Sequence, residues 1–189
     1  MKKMFVVIAV FLLIAVFIGV SINQIPSKQE AVHSAQSVLM SQYKRRTDLI
    51  PQLVNTVKGA ADFEKSLLEN VIKARQHVTK IDVTDSNMDQ FIQAQDQLGS
   101  ALSRLLVTVE RYPQVKAVEA FTTLQAQLEG TENRIVVARR DYIQSIQTFN
   151  TEIRTLPGVF WNKLIFHYDK MPQLSQDPSV ETPVEVNFK

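Results

Sequence analysis

Cysteine is absent from this chain. That excludes disulfides, zinc–thiolate sites, iron–sulfur clusters and a lipoprotein anchor. Glycine is scarce, with 5 in 189 residues, and aromatics are 8% of the total, which is thin for a β-sandwich or barrel. GxGxxG and P-loop motifs are missing, and strand-like and helix-like stretches do not alternate. No charge of one sign dominates: 21 basic residues face 19 acidic ones, for a net +2. Such a balance gives no general drive toward nucleic acid, so no nucleic-acid partner is expected.

Catalytic and metal-binding patterns are equally sparse. There is no GxSxG elbow. The three histidines, His33, His77 and His167, have no HExxH spacing around them. Glu30 and His33 form one Glu-x-x-His pair, but a di-iron bundle needs a second copy on another helix, and none exists. Glu110, Glu119, Glu129 and Glu132 read as solvated or salt-bridged helix faces. No catalytic residue, metal ligand or cofactor is therefore expected, and the chain is not expected to be an enzyme.

What is present begins at the N-terminus. Residues 1–3 are a short basic leader, and Met4 to Val20 is an unbroken apolar run that Ile22 extends. At about 1.5 Å per residue, residues 4–22 reach about 28 Å, close to the roughly 30 Å of a hydrocarbon core. A cleaved signal peptide is the alternative, with Gly19-Val20-Ser21 as a poor small-x-small site. The length of the run favours a retained transmembrane anchor. Lys2 and Lys3 precede it, while only Lys28, offset by Glu30, follows closely. Charge bias then keeps the N-terminus in the cytoplasm and exports the rest. The expectation is a single-pass protein of the cell (inner) membrane with an extracytoplasmic soluble domain.

Pro26 is expected to close the anchor, and Ser27 with Glu30 offers a capping box for a new helix. From there to about residue 156 the pattern is helical. Val32, Leu39 and Leu53 lie on one seam of the first soluble helix, and Tyr43, Ile50 and Val57 on the other. A shorter second helix carries Leu67, Val71, Ala74 and Val78. The third repeats Phe91, Leu98, Leu105 and Tyr112 every seven residues, beside Met88, Gln95, Leu102 and Val109. The fourth repeats Phe121, Leu128, Ile135, Tyr142, Phe149 and Leu156, and would span about 42 residues. Seven-residue periods mark helices packed lengthwise. Gly59 can end the first helix, Asp62 can cap the second, and Thr84 or Asp85 the third. Tyr112-Pro113 closes the third, and Leu156-Pro157-Gly158 the fourth. The fold class is all-α: an N-terminal transmembrane helix, then an elongated antiparallel up-down four-helix bundle over residues 27–157.

One stretch departs from the pattern. "YKRRTDLIPQLVNTVKG", residues 43–59, sets a basic cluster and Pro51 in the middle of a helix. The seams stay in register across Pro51, which favours a kink over a restart with Asp48 as cap. Arg46 falls on the seam where an apolar residue belongs. Pairing the midpoints of antiparallel helices one and four puts it near Glu132, with Asp48 and Arg139 close by. A partly buried ion pair is expected there, fixing register more than adding stability.

"QYKRRTDLIPQLVNTVKGAADFEKSLLENVIKAR", "QLGSALSRLLVTVERYPQVKAVEAFTTLQAQLEGTENRIVVARRDY" and the single N-terminal span together resemble the LemA family of bacterial membrane proteins. The specific motifs are Arg45-Arg46-x-Asp48-Leu49-Ile50-Pro51-x-Leu53-Val54, Glu129-Gly130-Thr131-Glu132-Asn133-Arg134-Ile135 and Ala138-Arg139-Arg140-Asp141-Tyr142. The resemblance runs from about residue 27 to 157 and is weaker before residue 40 and after 158. It implies an N-terminal anchor followed by an antiparallel helical bundle, and it supplies no established catalytic activity to carry over.

Two readings of the charged motifs stand side by side. Arg45, Arg46, Asp48, Pro51, Glu132, Asn133, Arg134, Arg139, Arg140 and Asp141 could hold helix one to helix four, or present a surface to another protein. A third feature is the aromatic segment 158–170. Phe160, Trp161, Phe166 and Tyr168 could rest on the membrane interface or close the end of the bundle. Residues 171–189 are rich in proline and polar residues and read as an extended tail. The expected function is a membrane-anchored scaffold or adaptor whose partners are the bilayer, through residues 4–22, and another membrane protein or a second copy. The rivals are a lipid-binding or membrane-remodelling module, and an enzyme with an unrecognised bundle-core site.

Overall fold

The computed structural model describes residues 2–59, 63–84 and 87–174. Every regular element among them is helical. In chain order these are α1 (Lys2–Lys58), α2 (Lys65–Thr79), α3 (Met88–Val109), α4 (Pro113–Lys116), α5 (Glu119–Glu152) and α6 (Gly158–Trp161), followed by a π-helical turn at Asn162–Phe166.

α1 corrects one expectation. It runs without a break through Pro26 and Ser27, so no helix starts at the Ser27–Glu30 capping box. The reason lies in Ile25, Val32 and Leu39, buried residues seven apart. The seam of the soluble part therefore begins before Pro26. Packing along it outweighs the roughly 3 kcal/mol that an interior proline costs a helix. Pro51 is interior as well, and α1 does not restart at Asp48. α1 ends at Lys58, just before Gly59. Asp62 and Asp85, read as caps, lie outside the described residues.

The chain divides into two compact units. One contains residues 40–136 together with Leu174. Its core includes Tyr43, Ile50, Leu53 and Val57 of α1; Leu68, Val71 and Val78 of α2; Phe91, Leu98, Leu102 and Leu105 of α3; and Phe121, Leu128 and Ile135 of α5. Leu68 takes the buried place expected of Leu67 on α2. α3 starts at Met88, after Asn87 rather than Thr84. The Asn87 side chain accepts from the Thr84 N–H and donates to the Asp82 carbonyl, which fixes the turn before the helix. Tyr43 meets Phe91 edge-on and Phe63 tilts against Tyr112.

The other unit takes the chain up to Leu39 together with Val137–Gln173. Here α1 begins with the apolar run, whose side chains are broadly exposed, Phe11 at 72% and Leu13 at 71%. It is the one helix among the described residues that is long and apolar enough to cross a membrane. Ile25, Val32 and Leu39 are buried, as are Tyr142, Ile146, Phe149 and Ile153 of the other stretch. α5 has 34 residues, shorter than the repeat suggested, and ends at Glu152. Leu156, the sixth member of the seven-residue series, stands 82% exposed in the turn that follows. A cis Leu156-Pro157 peptide leads into α6. Gly158 is required there, because a Cβ would collide with the Glu152 carbonyl oxygen. Asn162 then ties off the π-helical turn: its side chain donates to the Tyr168 carbonyl and accepts from the Tyr168 N–H.

Candidate functional site

α1 carries Arg46 into the core of the first unit, where it is 2% exposed. A buried guanidinium is costly unless its donors are paired. Nη1 donates to Glu132 Oε2 of α5 at 2.7 Å. Nη2 donates to both the main-chain oxygen and the side-chain Oε1 of Gln95 on α3, each at 2.7 Å. The guanidinium carbon lies 5.5 Å from the centroid of the Tyr43 ring, one helical turn back on α1. These are short, charge-assisted bonds from one side chain to two other helices.

Gly99 leaves room for the approach. It stands four residues after Gln95 on α3, over the carbonyl that Arg46 reaches. A Cβ at position 99 would lie 3.3 Å from Nη1. Arg46 and Glu132 also bound a groove lined by Gly99, Leu102, Leu106, Val107 and Leu128. Arg46 Nε has no hydrogen-bond partner among the described residues. The Glu132 side chain is 50% exposed, so the carboxylate sits at the rim of the core and the arginine beneath it. The one carboxylate of the constellation, Glu132, is engaged by the Arg46 guanidinium. No group of three metal-ligating side chains occurs among the described residues.

Pro51 has its own partner one turn away. Its missing N–H leaves the Thr47 carbonyl, four residues earlier, without a helical donor. Arg75 Nε of α2 donates to that oxygen at 3.1 Å. The Thr47 hydroxyl in turn donates to the Tyr43 carbonyl at 3.0 Å.

The ion pair expected from the sequence, Arg46 with Glu132, is thus present. Arg45, Asp48, Asn133, Arg134, Arg140 and Asp141 are exposed, Pro51 is exposed, and Arg139 is half-buried. Arg45 and Arg134, from two different motifs, line one groove with Thr123, Gln127, Gly130 and Thr131. Arg140 approaches its neighbour Asp141 at 3.7 Å, an exposed pair of little energetic weight. Gln95 was legible only as a polar residue on an apolar seam, and Arg75 carried no signal in the sequence.

In the second unit, Trp161 Nε1 donates to Ser21 Oγ at 2.9 Å. Phe166 stacks on Tyr168, and Tyr168 tilts against Phe149 of α5. These two rings belong to the packing of the unit. Phe160 is exposed, together with Leu164 and Ile165. Asn150 holds Met171 by two main-chain bonds, so the start of the C-terminal tail is fixed on α5.

An all-helical chain with a long apolar N-terminal segment and a charged seam residue sealed in its core defines a class of helical, membrane-type proteins. The chain belongs to the LemA family, whose model matches residues 35–188. The match runs on through the aromatic segment and the tail, past residue 158 where the motifs thin out. The chain is similar to Protein LemA of Metamycoplasma hominis, 23% identical over 167 residues that cover 87% of this chain and 73% of that protein. It is also similar to Magnetosome protein MamQ 2 of Paramagnetospirillum magneticum, 33% identical over 88 residues, 46% of this chain. Magnetosome protein MamQ of Magnetospirillum gryphiswaldense is 30% identical over 88 residues. Each of these two matches spans 31% of the magnetosome protein.

Proposed function

We propose that this LemA-family chain is a non-enzymatic, membrane-anchored helical scaffold or adaptor that works by binding another membrane protein. Residues 4–22 would cross the cell membrane once, with the antiparallel four-helix domain outside the cytoplasm. The observation that carries this reading is the division of the charged motifs. Arg46 spends its Nη donors inside the protein on Glu132 and Gln95. Arg45 and Arg134 stay outside and share one groove. A groove with two guanidinium groups and no carboxylate among its lining residues suits a partner that presents acidic side chains.

The test is affinity purification of the full chain in mild detergent after cross-linking in intact cells, with co-purifying proteins identified by mass spectrometry. One membrane protein at near-stoichiometric yield supports the reading, provided that Arg45→Glu with Arg134→Glu abolishes its recovery. Recovery of this chain with itself alone would remove the adaptor reading.

A further inference from the structure

We infer that the segment from Leu156 to Ile165 is a second, lipid-facing contact, seated in the headgroup boundary of the same bilayer that α1 crosses. The inference rests on the reading of residues 4–22 as a membrane anchor.

The placement comes from one hydrogen bond. Trp161 Nε1 donates to Ser21 Oγ. Ser21 immediately follows Val20, the end of the exposed apolar run, and is itself 3% exposed. The segment is therefore fastened beside the point where the apolar surface of α1 stops. Indole rings with a satisfied N–H favour that depth in a bilayer.

Outward-facing side chains supply the contact. Leu156, Phe160, Leu164 and Ile165 are exposed at 82%, 55%, 60% and 48%. Four large apolar side chains exposed within ten residues, on a segment fastened beside an apolar helix, are surface that water disfavours. The exposed cations Arg154 and Lys170 flank it and Lys163 lies within it, against the exposed carboxylate Asp169. An apolar face rimmed by cations suits a bilayer with anionic headgroups.

The segment is also built to hold its shape. Gly158 packs against the Glu152 carbonyl at the end of α5. Asn162 closes the π-helical turn on Tyr168, and the His167 N–H donates to the Asn162 carbonyl. Tyr168 turns away to pack with Phe149, and Phe166 stacks on Tyr168. The same stretch of chain thus splits into an inner anchor and an outer apolar face. A lid over the end of the helices would bury Leu164 and Ile165, and they are exposed.

The test uses the full chain in phosphatidylcholine vesicles that contain phosphatidylglycerol. Trp161 is the sole tryptophan, so its fluorescence reports on this segment alone. Lipids brominated near the headgroup are expected to quench it about twofold more than lipids brominated near the chain end. Leu164→Glu with Ile165→Glu should remove most of that quenching while the protein still floats with the vesicles. Circular dichroism of the variant confirms that its helices are intact. A wild-type protein that floats but is not quenched by the shallow bromine overturns the inference and leaves the anchor standing. So does quenching that survives the double substitution. A wild-type protein that does not float removes the anchor, and the inference with it.

Discussion

The Thr47 carbonyl accepts a hydrogen bond from Arg75 at 3.1 Å, and it is the carbonyl that Pro51 deprives of its helical donor. A gap in the hydrogen bonding of α1 is closed by α2. The proline is therefore part of how two helices meet.

A coupling between positions 51 and 75 follows. Arg75→Ala should cost about 1–2 kcal/mol, because it strands the Thr47 carbonyl. With Pro51→Ala in the background, the alanine supplies the missing N–H and the cost of losing Arg75 should fall by about 1 kcal/mol. Urea unfolding of the four proteins in detergent, followed by circular dichroism, measures the cycle. Equal costs in both backgrounds would show that positions 51 and 75 are not coupled.

Arg46 and Glu132 should respond unequally. Arg46→Ala empties a buried site and leaves Gln95 unpaired, so a loss of about 3–5 kcal/mol is expected. Glu132 is half-exposed, and Gln95 still holds the arginine when the carboxylate is gone, so Glu132→Ala should cost about 1–2 kcal/mol. The double variant should be less destabilised than the sum of the two. Strict additivity would remove the ion pair from the account of this core.

The glycines of α3 and α5 give a contrast of sign. Gly130 has nothing within 4 Å of a Cβ, so Gly130→Ala should stabilise α5 by about 0.5–1 kcal/mol. Gly99→Ala carries the same helix preference but presses on a guanidinium pinned from both sides. A net loss of about 1 kcal/mol is expected there. Thermal unfolding distinguishes the two, and stabilisation by Gly99→Ala would mean that Arg46 has room to move.

Arg45, Arg134 and Arg140 are exposed, and their replacement by alanine should change stability by less than about 0.5 kcal/mol each. Loss of the cross-linked partner at unchanged unfolding midpoint would assign them to a binding surface. A fall in stability comparable to that of Arg46→Ala would assign them to the fold instead.

The seven-residue seams were readable because each helix buries one stripe along its length. Tyr43, Ile50, Phe91, Leu98, Phe121 and Ile135 are all buried where the spacing put them. The Arg46–Glu132 pair was readable for the same reason: a charge on an apolar seam needs a partner at its own level. Gln95 and Arg75 were not readable as partners. Which face of α3 and α2 meets α1 depends on turns whose geometry single-residue signals do not set. The break at Pro26 was misread because a capping box is a local cue. Ile25, seven residues before Val32, already showed the seam passing through. Leu156 was misread in the reverse way, since its spacing fits the repeat while the turn before Pro157 takes it off the helix.

Gly99 and Arg46 also constrain how this sequence can vary over time. The space beside Gln95 accommodates either a guanidinium or a methyl group comfortably, but both only under compression. A lineage that exchanges the arginine for an apolar residue frees position 99 to acquire a side chain. A lineage that keeps the arginine inherits the glycine with it. Across LemA-family chains, the two positions should therefore be replaced together, the arginine first and the glycine after it.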